Sequence, residues 1–375
     1  MKTIRRLFHA DIASAVLFVA VAFLSLFFFI DFVDELGDVG KRGYTALHAA
    51  WYSLLEMPGH LYELAPIAVL IGTIYALSRM AQSSEFTILR TGGLGPGRAL
   101  GLLATLGVAF GIATFVIGDY VAPLSEQQAA SLRTRFNGGV RAGAWLKDRQ
   151  NTPGGELTIA VHINSTGARG ELQGIRIFEF GADGALRRRI AADTGEVDNR
   201  GSWQLRNAQV TDWRGAREAA SLPAAVPAQA HISSQQLPSL DWPSGLTAEV
   251  VAAAVLPLAT MSTSDLWRYI GHLSANEQAA QRHEIQFWKR AFYPFACLVM
   301  VALALPFAYM HARNGGISLK IFGGIMLGIS FVLLNNVVGH LGLLRNWTPW
   351  VAAAVPSGLY LLASMAAFAW LVRFR

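Results

Sequence analysis

The sequence predicts an α+β membrane protein: six transmembrane helices, with an antiparallel β jelly-roll-like domain inserted between spans three and four. Three observations carry this reading. The 375-residue chain is 53% hydrophobic and only 15% charged, with a positive mean hydropathy, which sets it apart from soluble domains. Apolar runs occupy positions 12–30, 61–80, 100–121, 291–310, 321–341 and 350–372. Each is roughly 20 residues long, enough to cross about 30 Å of hydrocarbon at about 1.5 Å per residue. From Gly143 onward the apolar period shifts to two, the signature of strands.

Span one has too long an apolar core for a cleaved leader, and no small-residue cleavage site follows Phe28-Phe29-Ile30, so it is expected to stay as an anchor. After an acidic turn, Leu47, Trp51, Leu54 and Leu55 recur at helical spacing. They predict an interfacial helix over 44–57, stopped by Pro58-Gly59. Span two carries Glu63 and Pro66 near its outer end, where water accounts for a carboxylate better than proton transfer does.

Between spans two and three lies a short polar-capped helix over 83–92. Ser83 or Ser84 can accept a first-turn N–H, Glu85 suits the positive helix start, Arg90 suits its end, and Gly92 or Gly93 supplies a left-handed exit. Too short and polar to cross a membrane, it offers Phe86 and Leu89 on one face to the aqueous phase. An ordinary capped connector would look the same.

Span three is rich in glycine and alanine, which permits close helix approach, and ends at Gly118-Asp119-Tyr120-Val121-Ala122-Pro123 before a helix stub over 125–135. Alternating segments at 145–147, 157–163, 175–180, 203–206 and 210–213 then alternate with turn signals such as Gly181-Ala182-Asp183-Gly184 and Asp198-Asn199-Arg200-Gly201. Inward Ile, Val, Phe and Leu would form a packed core; an open slot for a lipid chain demands the same residues. The Pro-, Ala- and Ser-rich stretch 222–246 reads as a loose edge or linker.

Ser262 or Ser264 caps a helix with Leu266, Ile270 and Leu273 on one face, and 278–290 leads into span four. Trp288 with Lys289 and Arg290 suits a membrane interface. Asn335, Asn336 and His340 in span five are expected to hydrogen-bond a neighbouring helix. The implied division is 1–123 for the first three spans, 124–262 for the β domain and 263–375 for the linker helix and remaining spans.

Basic residues fix the orientation. Lys2, Arg5, Arg6, Arg79, Arg90, Arg98, Arg313, Lys320, Arg373 and Arg375 all fall on one side if six spans alternate, and the positive-inside rule makes that side cytoplasmic. Asp31, Asp34, Glu35, Asp38 and Glu56 fall on the other. Both termini are thus expected inside and the β domain outside. The net charge of +6 then needs no nucleic-acid partner, since no basic face with aromatic interleaving occurs. The single cysteine, Cys297, lies within a span and excludes an intrachain disulfide.

An energy source is missing from the sequence. Gly92 to Gly97 lacks the Lys-Ser/Thr ending of a phosphate cradle, His283-Glu284 is no H-E-x-x-H helix, and no G-x-S-x-G elbow occurs. Mid-span carboxylates are nearly lacking, which weakens an ion-coupled transporter. The chain reads as a non-catalytic part that draws work from a partner.

Met80-Ala81-Gln82-Ser83-Ser84-Glu85-Phe86-Thr87-Ile88-Leu89-Arg90-Thr91-Gly92-Gly93 closely resembles the cytoplasmic coupling helix of the lipopolysaccharide export permeases, the YjgP/YjgQ-type subunits of the Lpt ABC transporter. Further matches follow in order: Phe32-Val33-Asp34-Glu35-Leu36, Gly118-Asp119-Tyr120-Val121-Ala122-Pro123, Ile175 to Phe180, and Gly339-His340-Leu341-Gly342-Leu343. Gly43-Tyr44 and Gln286-Phe287-Trp288-Lys289 look more like the G-type subunit than its F-type partner.

The resemblance implies a bacterial inner-membrane, multi-pass subunit with a periplasmic β domain. It would pair with an F-type permease subunit above a cytoplasmic ATPase dimer, which uses ATP and Mg; this chain would bind no cofactor. Lipopolysaccharide would enter between spans one and five and pass upward to periplasmic bridge proteins of the Lpt system. By position, Ser84, Glu85, Phe86, Leu89 and Arg90 would dock the ATPase, with Glu85 and Arg90 as the polar contacts. Arg133 matches a basic position facing the lipid head group. The outer end of span one, often basic in this family, here holds Asp31 and Asp38, followed by Lys41 and Arg42. Asp31, Lys41, Arg42 and Arg133 are therefore the expected lipid contacts, with a less phosphorylated lipid or bridging divalent cations accommodating the carboxylates. An alternative is a mechanotransmitting permease for lipoprotein release or cell-wall regulation, which typically has four spans.

Overall fold

The computed structural model describes residues 2–83, 85, 88, 91, 95–137, 143–152, 155–166, 171–198, 201–213, 232–255, 258, 260–276, 278–309 and 317–373. The chain forms two compact units, a helical one (1–40, 44–129 and 281–375) and one built on a sheet (41–43 and 130–280).

The helical unit begins with α1 (Lys2–Leu36) and α2 (Ala46–Gln82). Then come α3 (Pro96–Val116), a π-helical turn (Ile117–Val121) and the start of α4 (Ala122–Asn137). Six helical stretches among the described residues are long and apolar enough to cross a membrane: Arg5–Leu36, Ala46–Gln82, Gly97–Arg133, Gln281–Phe307, Ile317–Leu344 and Pro349–Trp370. They contain the six apolar runs read from the sequence, apart from the final residues of the fourth and the sixth, at 308–310 and 371–372.

The second of these is the hub. Val69, Leu70, Ile74 and Leu77 of α2 are buried among Phe8 and Ile12 of α1, Leu103 and Leu106 of α3, and Met300 and Val301 further on. Lipid supplies no hydrophobic drive between helices, so close packing must. Gly72 shows how: a Cβ there would lie 2.5 Å from the Val16 Cα, so α1 and α2 touch backbone to backbone.

The expected interfacial helix over 44–57 does not exist as a separate element. α2 runs without interruption through Pro58 and Pro66. Each proline removes one backbone donor, but a helix braced by neighbours on several sides retains its course.

In the second unit the strands are β1 (Ala144–Thr152), β2 (Gly155–Ile163), β3 (Ser165–Thr166), β4 (Leu172–Phe180), β5 (Leu186–Val197), β6 (Ser202–Trp213) and β7 (Ile232–Pro243). All pairings are antiparallel and the order is β1-β2-β4-β5-β6-β7, with β3 beside β4. Where a jelly roll was expected, strands consecutive in the chain lie side by side in the sheet apart from the short β3, which is the order of a meander. At one such turn Gly184, at φ +74°, donates its N–H to the Gly181 carbonyl at 2.8 Å. Ile159, Val161, Ile175, Ile177, Ile190, Trp203 and Leu205 are buried, as the alternation predicts. β7 falls where a loose stretch was expected. It is an edge strand with mostly exposed residues, so no alternation betrayed it.

Two helices follow, α5 (Ala248–Val255) and α6 (Thr263–Ala275). Ser262 caps α6 by accepting the Asp265 N–H at 3.1 Å, while Asp265 accepts the Ser262 N–H at 3.3 Å. Leu266, Tyr269 and Leu273 form its buried stripe, with Tyr269 in place of the expected Ile270. Just beyond, Asn276 Oδ1 accepts the Arg149 N–H at 3.0 Å and Gln278 Nε2 donates to the Lys147 carbonyl at 3.0 Å. These contacts cover the outer edge of β1, which would otherwise invite pairing with another chain. They also carry this unit to Ala280, past the expected boundary at 262.

The helical unit resumes with α7 (Gln281–Tyr309), α8 (Ile317–Leu344) and α9 (Pro349–Arg373). α7 packs against α2, α3 and α9, whereas α1 rests mainly on α2. α1 leaves Leu17, Phe18 and Phe29 exposed, and α8 leaves Phe322, Leu333 and Val337 exposed. Apolar faces of this extent call for lipid or another membrane chain.

Candidate functional site

Between α2 and α3 the structure describes residues 85, 88 and 91. Glu85, Ile88 and Thr91 are helical and exposed, and the Thr91 hydroxyl donates to the Ile88 carbonyl at 3.0 Å. Glu85 and Ile88 sit three residues apart and so share a face. Ile88 is 66% exposed, an apolar contact the sequence reading passed over in favour of Phe86 and Leu89. Ser84, Phe86, Leu89 and Arg90 lie outside the described residues. Ser83 does not open this helix: its hydroxyl donates to the carbonyls of Arg79 and Met80 at 3.2 and 3.3 Å, closing α2 instead.

The end of α2 is fastened to α1, and α1 to α3: Arg79 pairs with Asp11 of α1 at 2.9 Å, and His9 Nε2 of α1 lies 3.2 Å from the Leu102 carbonyl of α3.

The opposite end holds a polar layer. Arg290 of α7, 7% exposed, donates from Nη1 to the Gly118 carbonyl at 2.9 Å, within the π-helical turn. Its guanidinium carbon lies 5.5 Å from the centre of the Tyr62 ring, and a Cβ on Gly118 would collide with that ring. Tyr293 donates to the Glu63 carbonyl at 2.6 Å. Beside Pro58, the missing side chain of Gly59 makes room for the Glu126 carboxylate of α4. Pro58-Gly59 is thus a packing site rather than a helix stop.

Asp31 of α1 faces His60 of α2, Oδ2 to Nε2 at 2.8 Å, and the His60 ring also packs on Phe27 with centroids 4.8 Å apart. The carboxylate expected to meet lipid or a bridging cation is engaged within the chain. Of the other expected lipid contacts, Lys41 and Arg42 sit in a short 3-10 turn, with Arg42 at φ 49°, and Arg133 is exposed on α4. Among the described residues, no group of three or more His, Cys, Asp and Glu side chains is placed to hold a metal ion. Asn335, Asn336 and His340 make no hydrogen bond with a described residue, contrary to the expected helix-to-helix role.

The helical unit thus combines exposed helical positions at Glu85, Ile88 and Thr91, a polar layer around Arg290, and apolar faces on α1 and α8. The chain is 28% identical to the lipopolysaccharide export system permease protein LptG of Escherichia coli strain K12 over 349 residues, 91% of each chain. It is 24% identical to the protein of the same name from Haemophilus influenzae over 368 residues, 96% of this chain and 97% of that one. The family described as lipopolysaccharide export system permease LptF/LptG matches residues 6–372, and the chain belongs to that family.

Proposed function

We propose that this chain is a permease subunit of an ATP-driven transporter that extracts lipopolysaccharide from the bacterial inner membrane and passes it to a periplasmic bridge. The family match over 6–372 carries the reading, because it spans the coupling segment, all six apolar helices and the sheet together. In this reading the end bearing Glu85 and Ile88 is cytoplasmic, both termini lie on that side, and the sheet is periplasmic. Glu85 and Ile88, with Ser84, Phe86, Leu89 and Arg90, dock a partner ATPase that hydrolyses ATP with Mg. The apolar face of α1 meets an F-type permease subunit or the acyl chains of the cargo.

The chemistry divides accordingly. ATP hydrolysis in the partner supplies the work, and this chain converts movement at Glu85 into helix movement through the Arg79–Asp11 contact. In the same reading Arg133, exposed on α4, is the residue that attracts phosphate on the lipid.

Purification of a tagged chain from its native membrane in mild detergent tests the reading. It expects a cytoplasmic ATPase, a second six-span permease and lipopolysaccharide to accompany the chain, with the ATPase lost from Glu85→Lys. Recovery with lipoproteins in place of lipopolysaccharide would shift the function to a mechanotransmitting permease. Recovery of the chain alone would overturn the assembly.

A further inference from the structure

Lys289 sits eight residues into α7, which begins at Gln281, or about 12 Å along a helix axis. Its side chain crosses to α8, where it fills the space left by the missing side chain of Gly339: a Cβ there would lie 2.9 Å from Lys289 Cε and nearer still to Nζ. Lys289 is only partly exposed, yet its ammonium makes no hydrogen bond or ion pair with any described residue. Its neighbour Arg290, by contrast, is committed to Gly118.

An ammonium held inside a membrane-spanning region without an anion is costly, so such groups face a partner or an aqueous path. The surroundings suit a lipid headgroup. Trp288 stacks on Phe292 with centroids 5.4 Å apart, the sort of aromatic pair that anchors a helix at headgroup depth. On α8, Asn336 and His340 are exposed beside Gly339, and Asn335 lies one turn away on the same face; all three have uncommitted polar atoms. Among the described residues, no carboxylate pairs with Lys289 to neutralise it.

We propose that Lys289, laid across Gly339 between α7 and α8, binds the phosphate of an anionic lipid headgroup. Asn336 and His340 supply further polar contacts. The glycine is what allows it, since any larger residue at 339 would push the ammonium aside. The proposal rests on the reading of α7 and α8 as membrane spans, and lipopolysaccharide and anionic phospholipid both carry the required phosphate.

The test titrates the purified full chain in neutral detergent with lipopolysaccharide or with phosphatidylglycerol, reading the shift in melting temperature. Lys289→Gln is expected to weaken binding of at least one lipid by about tenfold or more, the loss of one charge-assisted hydrogen bond. Lys289→Arg should bind within about threefold of wild type, since it keeps the charge. Gly339→Ala, which displaces the ammonium but leaves the charge, should also weaken binding. Loss for lipopolysaccharide identifies the site with the cargo, and loss for phosphatidylglycerol alone identifies it with a resident lipid. Wild-type affinity for both lipids in both Lys289→Gln and Gly339→Ala overturns the proposal. Whether the wild type binds lipopolysaccharide at all tests the transport reading separately.

Discussion

The Arg290 guanidinium donates to the Gly118 carbonyl at 2.9 Å, fastening α7 to the π-helical turn where α3 passes into α4. A π-helical turn disturbs the regular carbonyl pairing of a helix, and such turns tend to mark functional sites. Here a side chain from another span takes up one of the carbonyls. The Tyr62 ring, packed where Gly118 lacks a side chain, closes the junction from α2.

Removing the donor should therefore destabilise the helical unit. Arg290→Met leaves the buried carbonyl without its charged partner, at about 1–3 kcal/mol. Gly118→Ala drives a methyl into the Tyr62 ring, at about 1–3 kcal/mol from overpacking. Melting of the purified chain in detergent checks both, with Arg206→Gln, on an exposed ion pair, as the near-silent control. An Arg290→Met protein that melts like wild type would remove the junction from the argument.

The sheet-bearing unit should weaken in mild acid because of His272. Burial holds its imidazole below the ordinary value, while Asp148 and the Lys147 carbonyl pull more weakly the other way. In the fold the ring stays neutral, whereas the unfolded chain takes up a proton as pH falls through about 6.5. The unfolded state then binds more protons, so stability declines from that pH down to the lower folded value and levels off below it. His272→Gln should flatten this part of the curve. The check is the difference in melting temperature between wild type and variant from neutral pH to about pH 5; equal slopes would refute it.

What the sequence disclosed followed from physics that acts along the chain. Span length and apolarity exposed all six membrane helices, and alternation exposed the strands that bury one face. β7 escaped because an edge strand with both faces wet has no alternation to show. Pro58-Gly59 misled for a related reason: it has the chemistry of a helix stop, but its role is set by Glu126, which lies in α4. The family resemblance of 80–93 was legible because its residues are contiguous. Arg290 with Gly118, Asp31 with His60 and Lys289 with Gly339 are pairings between helices distant in sequence, and no local pattern encodes them.

The Asp31–His60 contact makes a prediction about α1. Both side chains are about one-fifth exposed, at 22% and 23%, so the pair is worth roughly 0.5–1 kcal/mol. It tethers one half of a helix whose main support is α2. Asp31→Asn and His60→Gln should each raise amide hydrogen exchange in residues 27–36, and the double variant should exceed neither by much, since both remove the same contact. Fully additive effects would show that the two side chains act separately.

Ile88 makes the sharpest prediction about the coupling segment. An isoleucine 66% exposed makes little stabilising contact in its own chain, so replacing it should scarcely alter folding. If a partner ATPase buries that side chain, the contact contributes about 1.5–3 kcal/mol. Ile88→Asp should then reduce the ATPase recovered with the chain by about tenfold or more, while its melting temperature in detergent stays at the wild-type value. Glu85, one turn earlier on the same face, should show the same separation of binding from stability in Glu85→Lys. Loss of the ATPase with a matching fall in melting temperature would make Ile88 a structural residue. Retention of the ATPase at an unchanged melting temperature would place the docking contact elsewhere on the connection between α2 and α3.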